Sequence, residues 1–255
     1  MIVPPSQVPS VFVTPPCQVI RSVVWGEPIF FTVTNGKEKI QQHHARGQFY
    51  EAEELEIIRQ YCRPGQIFCD IGSNVGNHAI FALKFLRAAK VIVFEPNPDL
   101  VEILLSNLAL NGVLDLCDTS HLGFGLSDQA QSGLSIHAPN RNLGAGRLVE
   151  DGGDLAVIRG DDALAGQRVD FIKIDVEGME LKALSGLEET IRANRPTLFV
   201  EVDRENTDAF GDWVKAHGYA VKARFKRYRA NENFLLVANP AAATPDDQTV
   251  DGQRG

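Results

Sequence analysis

The chain has 255 residues, of which 44% are hydrophobic, and its formal net charge is −8. That length suits one large domain with appendages and can bury a substantial core. The acidic balance argues against nucleic acid as the main partner, because that role needs an excess of Lys and Arg. The cysteines stand far apart without CxxC pairs. We therefore expect neither a disulfide framework nor a structural zinc site, and a reducing cytoplasm fits best.

The two ends of the chain differ in composition from its middle. The N-terminus lacks the basic start and unbroken apolar stretch of a signal peptide, and no segment approaches the roughly 20 apolar residues of a membrane span. We expect a soluble cytoplasmic protein without a membrane partner. Residues 1–46 are predicted to be an N-terminal extension with a hairpin that turns at Asn35-Gly36. Residues 47–238 are predicted to form one domain, and 239–255 a disordered tail.

Within the central domain, short apolar strands alternate with helical patterns. Continuous apolar strands of this kind indicate a mostly parallel sheet covered by helices on both faces, which is an α/β, Rossmann-like fold. Strands are predicted at 66–70, 90–95, 169–175 and 197–202, and helices at 51–62, 77–88, 98–112, 179–194 and 207–218.

Three further stretches complete the predicted fold. A third strand is expected within 117–126, and short hairpin strands are expected in the Gly-, Asp- and Asn-rich stretch 127–166. The last two strands, near 219–223 and 233–238, have no helix between them. They are therefore predicted to pair antiparallel at one edge of the sheet.

The stretch "DIGSNVG", from Asp70 to Gly76, follows the first strand of the alternation. In such a sheet, ligands bind beyond the carboxyl ends of the strands. A dinucleotide site usually has GxGxxG, but here Asn74 stands where the middle glycine would be, and Gly72 and Gly76 are four apart. A carboxylate at Asp70 would repel a pyrophosphate and attract an ammonium group. The alternative is an ordinary tight turn with an exposed acid.

A second acid, Glu95, ends the next predicted strand in "VFEPNPD". A carboxylate at this place can accept hydrogen bonds from both ribose hydroxyls of an adenosine. One acid for an ammonium and one for a ribose match S-adenosylmethionine (SAM). The two motifs together therefore predict a SAM pocket rather than a dinucleotide pocket.

A third motif is "DFIKIDVEGMELKALSG". Asp175 is predicted at the carboxyl end of a central strand, with Glu177 at the start of the next helix. Both acids would lie at the same edge of the sheet as the glycine loop. The alternative is that they are helix-capping acids favoured by the macrodipole.

These motifs, with "FYEAEELE", "GLSD" and "NENFLLV", occur in the order seen in the FkbM-type methyltransferases, and the chain resembles that family over residues 47–237. The resemblance implies a SAM-dependent enzyme that methylates hydroxyl oxygens of saccharides or small metabolites. It places Leu126 and Ser127 near the adenine and "IDVEG" beside the transferred methyl group. The cofactor contacts that it implies in the two loops are Asp70, Gly72, Ser73, Asn74, Gly76, Asn77, Glu95, Pro96 and Asn97.

Methyl transfer to an alcohol needs a base within hydrogen-bond reach of the hydroxyl. Asp175 and Glu177 are the first candidates and His78 is the third, although a histidine at a first helical turn more often caps or packs. His43 and His44 are expected in a loop over the pocket, where they are either substrate contacts or solvated residues.

Two further clusters leave their roles open. Asp175, Glu201 and Asp203 end neighbouring strands, and such oxygens suit Mg²⁺, but nothing in their spacing requires a metal. "KARFKRYR", residues 222–229, is the basic cluster of an acidic chain. It either meets a phosphate or an acidic sugar, or it protects an edge strand from aggregation.

The sequence therefore favours a SAM-dependent O-methyltransferase with a hydroxylated small molecule or a saccharide as acceptor, and no metal. Two other functions stay open: a catalytically silent SAM-binding scaffold or regulatory domain, and an NAD(P)-dependent oxidoreductase. Asn74 and Asp70 disfavour the oxidoreductase. The residues predict neither the acceptor nor the oligomeric state.

Overall fold

The computed structural model describes residues 16–137 and 146–239. The predicted disordered tail, apart from Asn239, lies outside these residues, as does the start of the predicted N-terminal extension. Among the described residues, no helix is long and apolar enough to cross a membrane. The helices are α1 Lys39–His44, α2 Ala52–Tyr61, α3 Asn77–Lys84, α4 Pro98–Leu110, α5 Gly160–Ala163, α6 Glu180–Gly186, α7 Glu188–Asn194 and α8 Thr207–Ala216.

A seven-stranded sheet forms the centre of the fold, with the strand order β12-β13-β11-β10-β3-β4-β5. Neighbours from β11 to β5 pair parallel, whereas β13 pairs antiparallel with both β11 and β12. The predicted α/β, mostly parallel sheet with an antiparallel edge pair is confirmed. Its strands are β3 Ile67–Ile71, β4 Lys90–Phe94, β5 Cys117–Asp118, β10 Phe171–Ile174, β11 Thr197–Asp203, β12 Tyr219–Phe225 and β13 Asn231–Ala238.

A second sheet of four strands lies beside the end of β4, in the order β6-β9-β7-β8. It contains the hairpin strands expected in the irregular stretch. The expected strand within 117–126 is split, because β5 joins the central sheet and β6 joins this one. Residues 138–145, between β7 and β8, lie outside the described residues. The strands are β6 Phe124–Ser127, β7 Gln131–His137, β8 Arg147–Glu150 and β9 Leu155–Arg159.

The N-terminal hairpin is formed by β1 Gln18–Val24 and β2 Glu27–Val33, so the prediction of a turn at Asn35-Gly36 is wrong. The turn is Trp25-Gly26, where both residues have positive φ, as a tight two-residue turn requires. After β2, the carboxylate of Glu38 accepts hydrogen bonds from the first amides of α1, at 3.1 Å from Ile40 N and 2.8 Å from Gln41 N. That cap starts a helix where the sequence suggested a returning strand.

This hairpin packs into the main core. Ile29 and Phe31 are fully buried in the cluster that also contains α3 and α4. Asn107 of α4 accepts a hydrogen bond from Thr32 N at 2.6 Å, and Asn111 accepts one from Phe30 N at 3.1 Å. The hairpin and α4 are therefore parts of one packed core.

The predicted helix at 179–194 is two helices, which meet at Leu187. The carboxylate of Asp161 accepts hydrogen bonds from Glu189 N at 3.0 Å and Thr190 N at 2.8 Å, which caps the start of α7. Gly186 lies so close to β6 that an added Cβ would be 1.9 Å from the Ser127 carbonyl oxygen. The interruption thus fits the helix pair against the smaller sheet.

Candidate active site

The glycine loop connects β3 to α3. Its amides at Gly72 and Ser73 both donate to the Phe94 carbonyl at 3.0 Å, so the loop is fixed to the end of β4. Gly72 has φ +75°, and a Cβ there would be 1.9 Å from the backbone oxygen of Asp175. The loop and the end of β10 approach so closely that only glycine fits. Asn74 also has a positive φ, +50°, a left-handed conformation that asparagine adopts more readily than most other side chains.

Glu95 connects this loop to the start of α4. Its carboxylate accepts from Asn74 N at 2.8 Å with one oxygen and from Asn97 N at 2.9 Å with the other. Burial raises the pKa of Glu95 to about 7, and these two hydrogen bonds act against that shift. Asn97 in turn caps α4 by accepting from Asp99 N. The acid predicted to hold a ribose therefore also organises the two loops around the cleft.

A cleft opens at the carboxyl ends of β3 and β4, where the sequence predicted the cofactor. Leu126 closes it from the side of the smaller sheet. Eight of the predicted site residues line it: Gly72, Asn74, Glu95, Pro96, Asn97, Leu126, Asp175 and Glu177. Six do not: Asp70, Ser73, Gly76, Asn77, His78 and Ser127.

Asp70 lies below the loop and is fully buried, so it does not point into the cleft as the sequence suggested. Its neighbour across the β3–β10 pair is Lys173, whose ammonium is 3.4 Å from the Asp70 carboxylate. The same ammonium lies 3.4 Å from Asp175 and donates to the Gly72 carbonyl at 2.8 Å. Burial raises the pKa of Asp70, and Lys173 acts against that rise. Asp70 thus acts on the loop through Lys173.

Asn77 and His78, at the start of α3, face the protein interior. The Asn77 side chain accepts from Tyr50 N at 3.0 Å and contacts His44 Nε2 at 3.1 Å. His78 is buried, and burial holds its pKa well below the usual value. Its Nε2 has no hydrogen-bond partner in the described part of the chain and lies 3.7 Å from Glu51 Oε2. His78 is therefore screened from the cleft.

His43 and His44 do not lie in a loop, because α1 contains both. His44 is fully buried and stacks on Phe31 with ring centroids 4.0 Å apart. Burial lowers the pKa of His44 to about 4. The predicted loop is wrong, because Glu38 starts a helix there that turns His44 into the core, whereas His43 stays partly exposed.

Four acids that act on one another electrostatically form a cluster, which we call the acid cluster: Glu51, Asp175, Glu177 and Glu201. Burial and the charge of Asp175 raise the pKa of Glu177 to about 8 and raise that of Glu201 further. Glu177 also has a positive φ of +47°. Carboxylates whose pKa values are raised by burial and like charge are typical of functional sites.

Three acids of this cluster, Asp175, Glu177 and Glu201, each offer an oxygen within 4.8 Å of the others, a spacing that suits a divalent cation. The metal arrangement considered from the sequence used Asp203 instead of Glu177. Asp203 is paired with the Arg147 guanidinium, which also contacts Glu205 at 3.4 Å. The ammonium of Lys173 already offsets the charge of Asp175.

Two arginines of the basic cluster at 222–229, Arg224 and Arg227, bind acids of this chain. Arg224 forms two hydrogen bonds to Glu232 across the edge hairpin, at 2.8 and 2.9 Å. Arg227 reaches the first turn of α2 and binds both Glu54 and Glu53. Tyr228 adds a hydroxyl contact of 2.9 Å to Tyr50. This hairpin tip therefore ties the edge of the sheet to the segment that carries Glu51.

Lys173 and Glu51 were missed from the sequence. A lysine inside the apolar run "DFIKID" was a usable signal, because a buried ammonium needs an acid beside it. Glu51 gave no such signal, since it reads as one of several acids in the first turn of a helix.

The strand order, the glycine loop and the cleft define a Rossmann-like fold. Among solved structures, TrmK of M. capricolum, in complex with S-adenosylhomocysteine, superposes with a TM-score of 0.50 at 10% identity, over 75% of this chain and 69% of that chain. A protein of the NADB-Rossmann superfamily from Streptococcus agalactiae also superposes with a TM-score of 0.50, at 17% identity, over 74% of this chain and 68% of that chain. At these identities the likeness concerns the fold alone.

The profile of the methyltransferase FkbM domain matches residues 70–221, more than half of the chain, and the chain belongs to this family. The predicted family is confirmed. The chain is 27% identical to the hexuronic acid methyltransferase AglP of Haloferax volcanii, over 64% of this chain and 66% of AglP. It is 28% identical to the methyltransferase sdnD of Sordaria araneosa, over 62% of this chain and 78% of sdnD. The match thus spans about two thirds of the length of AglP.

Proposed function

We propose that this protein is a SAM-dependent O-methyltransferase that acts on a hydroxyl of a saccharide or a small metabolite. The observation that carries the proposal is the cleft in which Glu95 and the glycine loop meet, with Asp175 and Glu177 at one end. Membership of the FkbM family supports methyl transfer, and AglP, named for a hexuronic acid, supports a saccharide acceptor.

The residues of the cleft fit the cofactor. Gly72 lets the loop pack against the Asp175 backbone at the edge of the cleft, and Glu95 is a buried carboxylate that borders the open space. Glu95 would accept from the ribose hydroxyls, Leu126 would pack against the adenine, and Asp175 and Glu177 would face the methyl-bearing end. Bound SAM supplies an electrophilic methyl group on a sulfonium.

The protein's main contribution is alignment. Holding an acceptor oxygen in line with a methyl group can supply about 7–11 kcal/mol of the barrier. The acid cluster disfavours nucleic acid as the acceptor, because a phosphate backbone would be repelled by these carboxylates. It also contains groups able to hold the proton that the acceptor loses.

Replacing Glu95 with glutamine is expected to weaken SAM binding by about 10- to 100-fold. One acceptor oxygen becomes an amide N–H that faces a backbone N–H, and a hydrogen bond to a charged group contributes about 1.5–3 kcal/mol. Isothermal calorimetry with SAM measures the change, with Glu102→Gln on the exposed side of α4 as the matched control. Equal affinity in both variants would contradict the role of Glu95.

The pH dependence of SAM binding provides a second test of Glu95. The pKa of Glu95 is raised to about 7, so its carboxylate becomes protonated as the pH falls through 7. The SAM affinity of the unmodified protein should fall from pH 8 to pH 6. The difference in SAM affinity between the unmodified protein and Glu95→Gln should become smaller over that range. A constant difference would contradict this assignment.

Chelation of divalent cations is expected to leave methyl transfer unchanged, because the acids of the chain can take the acceptor's proton. The measurement compares turnover before and after dialysis against EDTA. Loss of turnover that Mg²⁺ restores would instead assign Asp175, Glu177 and Glu201 to a metal.

A further inference from the structure

The acids near Lys173 differ in what already binds them. Asp175 is paired with Lys173, and Asp203 is paired with Arg147. Glu54 receives two hydrogen bonds from Arg227. Glu51 has no comparable partner in the described part of the chain. It precedes α2 at the N-cap position, yet its side chain makes no capping hydrogen bond to the described residues of that helix. Its carboxylate is therefore not used to hold the helix.

Glu51 is held in an unusual geometry. Its backbone φ is +58°, in the left-handed region that glutamate seldom adopts. Its side chain is 13% exposed, and its Oε2 faces His78 Nε2 at 3.7 Å. Such strain persists only where the surroundings enforce it, as they often do at functional sites.

A groove of about 710 Å³ lies between the β1–β2 hairpin and the start of α2, and Glu51 lines it. This volume is within the range of small-molecule sites. Trp25, whose exposed fraction is 63%, and Phe49 provide aromatic surface, and Arg46 and Gln48 provide hydrogen-bonding groups. Aromatic surface beside such groups suits a polyhydroxylated ring. Among the members of the acid cluster, Glu51 lines this groove, whereas Asp175 and Glu177 line the cofactor cleft.

We propose that Glu51 is a further catalytic residue, which accepts the proton of the acceptor hydroxyl as the acceptor enters through this groove. This role rests on the proposed methyl transfer. It identifies the general base of that reaction and the side from which the acceptor arrives. The hydroxyl proton passes to a Glu51 oxygen while the acceptor oxygen bonds to the methyl carbon. The bond from that carbon to sulfur breaks, and its electron pair stays on the sulfur of neutral S-adenosylhomocysteine.

The charges around Glu51 suit this role. Burial, Asp175 and Glu54 raise the pKa of Glu51 to about 8, while Lys173 and Arg227 act against the rise. The ionised base is therefore lost as the pH falls through 8, and turnover should rise from pH 7 to pH 9. The titratable and charged groups that face Glu51 from the surrounding elements are Tyr50, Glu54, His78, Lys173, Asp175, Glu201 and Arg227.

The test compares Glu51→Gln with the control Glu27→Gln. Glu27 is an exposed glutamate on the β1–β2 hairpin, which borders the groove. The probes are labelled SAM with glucose, glucosamine and glucuronic acid, which are neutral, cationic and anionic pyranoses. We expect Glu51→Gln to bind SAM within twofold of the unmodified protein and to transfer methyl groups about 100- to 10,000-fold more slowly. Glu51→Asp keeps a carboxylate and should retain part of the activity and its rise with pH.

A second measurement does not depend on the acceptor. The infrared absorbance of protonated carboxyl groups is followed from pH 6 to pH 10. Part of the absorbance change near pH 8 should be missing in Glu51→Gln and present in Glu27→Gln.

The outcomes separate the two proposals. An unchanged titration, or transfer by Glu51→Gln at the rate of Glu27→Gln, would overturn the role of Glu51 while leaving SAM-dependent transfer intact. Failure of the unmodified protein to bind SAM would overturn the proposed function, and the titration would still report on Glu51.

Discussion

Gly72→Ala is expected to abolish SAM binding and to destabilise the fold by more than the cost of a left-handed alanine, which is about 1–2 kcal/mol. The added Cβ would be 1.9 Å from the Asp175 backbone oxygen. Backbone at both sides prevents a local rotamer change from relieving the clash. The loop must therefore separate from β10, which moves Asn74 and Asp175 away from the cleft.

Gly65→Ala is the matched control for this experiment. Gly65 has φ +82°, close to that of Gly72, but no atom of the described residues lies within 4 Å of a Cβ placed there. Both substitutions change the unfolded chain in the same way, so the difference between them isolates the close approach. Urea unfolding and SAM calorimetry measure it. Equal stability and SAM affinity for the two variants would show that the loop and β10 are not in contact.

Lys173→Met is expected to destabilise the protein by about 3–5 kcal/mol, because it leaves Asp70 as a buried charge without a partner. Lys173 is 4% exposed and Asp70 is fully buried. The control is Lys90→Met, which removes a 2.7 Å ion pair with Asp118 from a lysine side chain that is 40% exposed. An ion pair of that kind contributes about 0–1 kcal/mol.

The sign of the pH effect follows from Asp70. Its pKa in the folded protein is already above the usual value, and removal of Lys173 raises it further. The folded state of Lys173→Met then binds a proton that the unfolded state does not, so its stability falls as the pH rises. The loss of unfolding free energy in Lys173→Met relative to the unmodified protein, measured with urea, should be smaller at pH 5 than at pH 8. A deficit no larger than that of Lys90→Met would contradict the buried ion pair.

Much of the fold was predictable because its signals are local. The helix α2 and the elements from β3 to α4 follow apolar patterns bounded by Pro64-Gly65 and Asn111-Gly112, and the structure has them close to the predicted places. The hairpin was misplaced because Asn35-Gly36 is a strong turn signal. The actual turn contains Trp25, an exposed aromatic residue that does not resemble a turn residue.

The site was predictable only in part. Gly72, Glu95, Asp175 and Glu177 follow strand ends, and the parallel sheet brings such positions to one edge. The partners of a buried charge depend on strand order, which periodicity does not reveal. The sequence therefore predicted that Asp70 faces a ligand. In the structure β10 lies beside β3, and its Lys173 is the partner of Asp70.

We propose that the cleft beside Glu95 binds SAM for methyl transfer. Calorimetric titration of the unmodified protein with SAM and with NAD(P)H is the decisive experiment. We predict saturable binding of SAM, weakened in Glu95→Gln and abolished in Gly72→Ala, and no binding of the dinucleotides. A turnover assay on the same samples separates an enzyme from a silent scaffold. Tight binding of NAD(P)H with none of SAM would contradict the proposed SAM-dependent methyl transfer.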